Sequence, residues 1–248
     1  MRIVFLGTSH GVPEPNRRCS STVIEVDGSH YFIDMGTQSI EGLISRGIHP
    51  NNVRACFITH MHGDHTNGLI SFIDLCSWYF KDAAPQIYLP GDTEKSVNAI
   101  SRWLECNGVE MRDFKFGHVD DGFVYRDEKI KVSAFRTKHI EQSFSYLVEA
   151  ESKRVFFSGD LRSPLYLDSP TEDIAVEEFD KGLDLAILEL AHFMATEKYL
   201  PLLEGRSNVK RVCINHYFDP RIPSAFELKK ALPDQEIVFA YDGLEFTL

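Results

Sequence analysis

The sequence of 248 residues has no apolar run approaching the roughly 20 residues that a membrane-spanning helix needs, so no transmembrane segment is expected. Cysteine is scarce. Cys19, Cys56, Cys76, Cys106 and Cys213 are odd in number, scattered and never in CxxC spacing, which speaks against a disulfide framework and against a cysteine zinc site. A reducing, cytoplasmic setting is the simplest expectation. Positive charge is also short: 26 Lys and Arg face 37 Asp and Glu, a net charge of −11, and basic residues adjoin only in pairs such as Arg17-Arg18, Lys210-Arg211 and Lys229-Lys230. Binding to nucleic acid draws much of its affinity from neutralising phosphates, so a nucleic acid is not the expected partner. There is no Pro/Gly/Ser linker, repeat or low-complexity stretch, and a single domain over residues 1–248 is expected. The apolar start, Met1 to Gly7, is too short for a signal-peptide core and reads as a first strand.

What is present is ordinary globular material, 43% hydrophobic and 25% charged, patterned as alternating strands and helices. Strands are predicted at 2–6, 22–26, 30–34, 53–59, 86–90, 123–125, 129–136, 144–149, 154–158, 183–188, 209–214 and 236–240. Helices are predicted at 38–46, from Asp64 or Thr66 to Phe80, and at 93–106, 171–180, 196–203 and 222–231. In the second helix Leu69, Phe72, Ile73, Cys76 and Phe80 recur on one face with the helical period. Strand clusters with interspersed helices predict an α/β fold, a four-layer αβ/βα sandwich of two mixed β-sheets packed face to face with helices outside.

Residues 59–65, Thr-His-Met-His-Gly-Asp-His, carry four good metal ligands, His60, His62, Asp64 and His65, directly after the β-type run from Val53 to Ile58. In extended chain, residues two apart point the same way, so His60 and His62 can reach one metal together. A tight turn at Gly63 can swing Asp64 and His65 toward a second. Imidazole and carboxylate suit zinc and its first-row neighbours. Other ligand-type residues lie just beyond apolar runs: His139 after 130–138, Asp160 after 155–159, His192 beyond 185–189 and His216 after 212–215. Four strand ends carrying His or Asp point to one edge of a sheet sandwich lined with ligands. Two divalent cations would also add +4 locally, so the acidic chain remains compatible with a small anionic substrate.

The stretch 59–65 resembles the HxHxDH signature of the metallo-β-lactamase fold superfamily, and His139, Asp160 and His216 follow in that family's order. Gly7-Thr8, Gly11-Val12-Pro13 and Ser20-Ser21 resemble the opening of its ribonuclease Z-like branch. Asp34-Met35-Gly36, Ser143 to Tyr146 and Tyr241 to Glu245 resemble further segments of the fold, and Asp184 to His192 resembles the branch's small phosphodiesterases, including the cyclic-phosphate phosphodiesterase of phosphonate breakdown. The resemblance implies that His60, His62 and His139 hold one metal, that Asp64, His65 and His216 hold another, and that Asp160 bridges them. It further implies a bridging hydroxide as nucleophile, since two cations depress the pKa of a shared water. The sequence departs from the pattern at Leu161, where the branch commonly has a hydroxyl residue, and at Tyr217-Phe218-Asp219; it also lacks the Gly/Pro-rich arm of tRNA-processing enzymes and the phosphonate-pathway enzyme's cysteine cluster.

The function expected is a dinuclear metal-dependent hydrolase of a small phosphodiester, cyclic ones included, with lactone or thioester hydrolysis, tRNA 3′-end processing and a non-catalytic metal-binding module as alternatives. Zinc is the expected metal, with manganese, iron or nickel compatible. Asp64, Asp160 and His192 are assigned to the chemistry, His192 as proton donor to the leaving group or as a phosphate contact. His10, Arg162 and Tyr217 join His192 as candidate substrate contacts. Asp34 is expected to brace the metal loop and Glu189 to orient a histidine or a metal-bound group. His30, His49 and His118 are expected at the surface, and a homodimer is compatible with the resemblance.

Overall fold

The computed structural model describes residues 1–248. In chain order the elements are β1 (Arg2–Gly7), β2 (Ser21–Val26), β3 (Ser29–Met35), α1 (Ser39–Ile44), β4 (Val53–Phe57), α2 (Gly63–Trp78), β5 (Gln86–Pro90), α3 (Thr93–Cys106) and β6 (Lys115–Val119). They continue with β7 (Gly122–Arg126), β8 (Lys131–Arg136), β9 (Phe144–Ala150), β10 (Lys153–Phe157), α4 (Val176–Asp180), β11 (Leu185–Leu190), α5 (Ala195–Leu203), β12 (Arg211–Tyr217), α6 (Ile222–Ala231), β13 (Glu236–Phe239) and β14 (Glu245–Thr247). No helix is long and apolar enough to cross a membrane.

The chain divides into two compact units. The first comprises Met1–Gly7, Gly11–Val119 and Asp242–Thr247, and holds a mixed seven-stranded sheet ordered β14-β1-β2-β3-β4-β5-β6. Its β14 to β3 half is antiparallel and its β3 to β6 half parallel. Helix α2 buries Leu69, Phe72, Ile73 and Cys76 in a cluster with Phe32, Cys56, Ile87 and Leu104. Two glycines let it approach: a Cβ at Gly36 would collide with the Asp64 carbonyl oxygen, and one at Gly68 with that of Thr37. The metal-motif end of α2 therefore lies directly on the end of β3.

The second unit comprises Thr8–His10, Asp120–Tyr241 and Leu248. Its seven-stranded sheet, ordered β13-β12-β11-β10-β9-β8-β7, is likewise half antiparallel (β7 to β10) and half parallel (β10 to β13). Phe156, Phe179, Leu188, Tyr199, Leu202 and Leu228 are among the residues of its core cluster. Fully burying one such side chain contributes about 1.5–3 kcal/mol.

Several boundaries differ from the sequence pattern. The expected strands at 183–188 and 209–214 run instead over 185–190 and 211–217, because Leu183 and Val209 form only an isolated bridge. The helix expected at 171–180 begins at Val176, and turns occupy the preceding residues. β6 was not predicted: Lys-Phe-Gly-His-Val has little apolar alternation, as suits an edge strand paired on one side only. His30 is buried rather than at the surface, because it lies within β3 between two neighbouring strands, whereas His49 and His118 are exposed.

Candidate metal centre

In the first unit, β4 gives way at Ile58 to the motif, and α2 begins at Gly63, with His62 at its N-cap in extended conformation. Asp64 lies in the helix's first turn, where the helix dipole favours a carboxylate. Asp34 organises the loop. Its carboxylate accepts hydrogen bonds from the Thr59 amide (2.8 Å) and hydroxyl (2.9 Å) and stands 2.7 Å from His65 Nδ1. The ring of His65 is thereby fixed with Nδ1 toward Asp34, and its Nε2 lies 3.2 Å from Asp64 Oδ2. Thr59 Oγ1 also lies 3.1 Å from His60 Nδ1, and His60 Nε2 faces His62 Nδ1 at 3.0 Å. Two imidazole nitrogens converging in this way fit a shared cation, whose tetrahedral ligands sit about 3.3 Å apart.

Asp34 reaches this position through a β-bulge. Ser21 pairs with Met35 and Thr22 with Ile33, so Asp34 is the extra residue, at φ 58°. A non-glycine residue in the left-handed region is uncommon and persists where the surroundings over-determine it.

The second unit uses the same device. Glu189 pairs with Asn215 and Leu190 with Tyr217, which leaves His216 as the bulged residue at φ 45°. The Asp160 carboxylate, 3% exposed, is the hub. His216 Nδ1 lies 3.4 Å from it, His139 Nε2 3.7 Å and His192 Nε2 3.9 Å. Glu189, buried at the end of β11, accepts from the Leu161 amide at 3.0 Å and the Ala191 amide at 2.6 Å and lies 2.8 Å from His192 Nδ1. Its negative charge holds the His192 ring with Nε2 toward Asp160, and His192 keeps about a third of its side chain in solvent. The donors in both units are imidazole and carboxylate only, a chemistry that fits divalent first-row metals.

The candidate substrate contacts diverge. His10 packs its ring against Phe218, 4.8 Å between centroids, beside the His216 bulge. Arg162 is exposed, with its guanidinium 5.0 Å over the ring of Tyr166. Tyr217, expected to touch substrate, instead donates its hydroxyl to the Ala240 carbonyl at 3.0 Å and packs on Phe239, because its bulged neighbour turns its ring into the β12–β13 layer.

Sequence reasoning passed over a set of hydroxyls. Thr59 links three site residues, and Thr137 Oγ1 contacts Ser143 Oγ (2.6 Å) and donates to the Asp160 carbonyl (3.0 Å). Adjacency to His60 was the available signal for Thr59; Thr137 had only its place at a strand end. The cysteines take no part as ligands in either cluster. Burial pushes Cys76 up to about 12, and burial, then the Asp64 carboxylate, push the Cys19 thiol up.

Against known proteins, the family model of the anti-Pycsar protein Apyc1 matches residues 1–176. The ribonuclease Z of Cyanothece sp. is 29% identical over 155 residues, covering 62% of this chain and 48% of that protein. The ribonuclease Z of Limosilactobacillus fermentum is 33% identical over 177 residues, covering 67% and 56%. The chain spans about half the length of the curated relatives it matches. Among solved structures, the short form of human tRNase Z superposes with a TM-score of 0.72 at 20% identity, over 100% of this chain and 99% of that one. The metallo-β-lactamase fold protein YhfI from Bacillus subtilis gives 0.75 at 16% identity, over 99% and 98%. The fold is the α/β sandwich of the metallo-β-lactamase superfamily, in its ribonuclease Z-like branch, as the strand pattern and motif implied. Within that branch, the chain belongs to the family of the anti-Pycsar protein Apyc1.

Proposed function

We propose that this protein is a metal-dependent hydrolase of a small phosphodiester, cyclic ones included. In this reading, which follows the superfamily motif, His60, His62 and His139 would hold one divalent cation and Asp64, His65 and His216 a second, with Asp160 as a ligand to both. Zinc suits the imidazole and carboxylate donors, as do manganese, iron and nickel. The observation that carries the reading is the Asp160 carboxylate, buried and set among the ring nitrogens of His139, His192 and His216. A buried carboxylate is costly to desolvate, and a cation held between it and the ring nitrogens of His139 and His216 would offset that cost.

When bound, paired cations lower the pKa of a water and polarise a phosphoryl oxygen. The chain's own residues then do the rest. Asp34 and Thr59 fix the rings of His65 and His60, so their lone pairs need no reorganisation. Glu189 holds His192 by Nδ1, stabilises its imidazolium form, and leaves the Nε2 proton for the departing alkoxide. The partly exposed edge of His192 gives that proton access to a substrate. A small substrate is supported by the net charge of −11 and by the lack of more than paired basic residues in sequence. The ribonuclease Z relatives favour a second reading, cleavage of a tRNA precursor.

The test is metal analysis of protein purified without added metal, with hydrolysis of bis-p-nitrophenyl phosphate by the same sample. About two metals per chain and turnover are expected, with turnover lost in Asp160→Ala and reduced about 100- to 10,000-fold, metal retained, in His192→Ala. Fewer than about one metal per chain after zinc or manganese is added would sink the proposal. Salt-sensitive cleavage of a 3′-extended tRNA in preference to the small ester would establish the second reading instead.

A further inference from the structure

The segment that carries Asp160 has no secondary structure of its own between Ser158 and Ser163. Side chains from elsewhere in the second unit anchor its peptide groups one after another. The Asp160 carbonyl accepts from Thr137 Oγ1 at 3.0 Å, and the Leu161 amide donates to Glu189 Oε1 at 3.0 Å. The Arg162 amide donates to Asp173 Oδ2 at 2.8 Å, and the Arg162 carbonyl accepts from Lys198 Nζ at 3.1 Å. Lys198 and Asp173 are themselves an ion pair at 2.5 Å, with both side chains completely buried.

A buried ion pair needs a reason. Apolar residues of similar volume at such a place are often as stabilising or more so, because two charges have been taken out of water. Lys198 lies on α5, whose other buried positions, Ala195, Tyr199, Leu202 and Leu203, fill the core, and its ammonium sits 5.4 Å from the centroid of the Phe193 ring. An apolar pair would suit that setting, but it could not accept from the Arg162 amide and donate to the Arg162 carbonyl at once. The pair grips both sides of one residue, two positions beyond the carboxylate. A second tie runs the same way: Lys138, next to His139, bonds Glu172, next to Asp173, at 2.8 Å.

We propose that Lys198 and Asp173 are a positioning pair, which holds the Arg162 peptide and through it sets the Asp160 carboxylate for the cations. The pair touches neither metal nor substrate, and its role rests on the metal-centre reading above. Asp160 thus sits on backbone fixed before any ligand arrives, as a site needs when its geometry must hold within a fraction of an ångström.

The experiment is the double variant Lys198→Met/Asp173→Leu beside Asp173→Asn, with zinc affinity measured by competition with a chromogenic chelator and turnover of bis-p-nitrophenyl phosphate measured on the same samples. The double variant is expected to unfold as cooperatively as wild type, to bind zinc about tenfold more weakly or worse, and to lose kcat with little change in KM. Asp173→Asn keeps an acceptor for the Arg162 amide and is expected to retain most of the affinity. A folded double variant with wild-type zinc affinity and kcat overturns the proposal. Should the double variant not fold, amide hydrogen exchange in wild-type, metal-free protein decides: Leu161 and Arg162 are expected to be as protected as core strands, and exchange at open-loop rates overturns the proposal. Wild type that binds no metal would instead overturn the metal-centre reading, so the two failures are distinct.

Discussion

The two units solve one problem in opposite ways. In the first, four candidate ligands lie within residues 60–65 and the neighbouring strand and helix present them together. In the second, His139, Asp160, His192 and His216 span 78 positions of sequence and come from four separate strands or strand ends. Each unit nevertheless uses a bulged residue in left-handed conformation, Asp34 in one and His216 in the other, and a buried carboxylate that fixes a histidine ring, Asp34 on His65 and Glu189 on His192. The difference teaches that a compact motif needs only local geometry, whereas a dispersed set needs a rigid mixed sheet and cross-braced loops to bring its members together.

Breaking one member of each set tests whether the two clusters act together. His62→Ala and His216→Ala are each expected to abolish detectable turnover and to release about one metal, and the double variant to be no worse than either single one, because residues that act as a unit are not additive. Fully additive losses in partly active single variants, read from kcat/KM, would mean that the clusters work separately.

A finer contrast comes from the two orienting carboxylates. Asp34→Asn is expected to weaken metal affinity about 10- to 100-fold, since Asp34 fixes a proposed ligand. Glu189→Gln is expected to lower kcat and leave metal content nearly unchanged, since it fixes the proposed proton donor. Equal effects of both on metal affinity would erase the distinction drawn here.

The smallest effect concerns His30, in β3 beside the metal-loop strand. Burial pulls its pKa below the ordinary 6.5, against the raising effect of the Glu25 carboxylate. Below pH 6.5 the unfolded chain takes up this proton before the folded one does, so stability falls as pH drops through and below that value, and levels off once the folded-state histidine is protonated. His30→Phe is expected to remove that part of the decline between pH 7 and pH 5, read as a shallower dependence of Tm on pH. An unchanged slope would show that other groups govern it.

The sequence itself spelled out much of this. Alternation and helical period located most strands and helices, because burial on one face imposes a period that composition cannot hide. It did so for α2, whose apolar stripe is the buried face, and failed for β6, an edge strand without a clear stripe, and at the start of α4, where turns precede Val176. The motif at 59–65 was legible because its ligands are neighbours. The contact of Tyr217 with the Ala240 carbonyl was not legible, because adjacency in sequence says nothing about which way a bulge turns the next ring.

What the sequence determined alone was the donor chemistry, the fold class and the local cluster, since residue type and short-range spacing are written directly in it. What only the tertiary structure decided was which carboxylate orients which ring, that Asp34 and His216 occupy bulges, and that Lys198 and Asp173 meet at the Arg162 peptide. Apart from Glu189 and His192, three positions apart, those contacts join residues 11 to 36 positions apart, and only the register of the strands and the closure of the loops fix them.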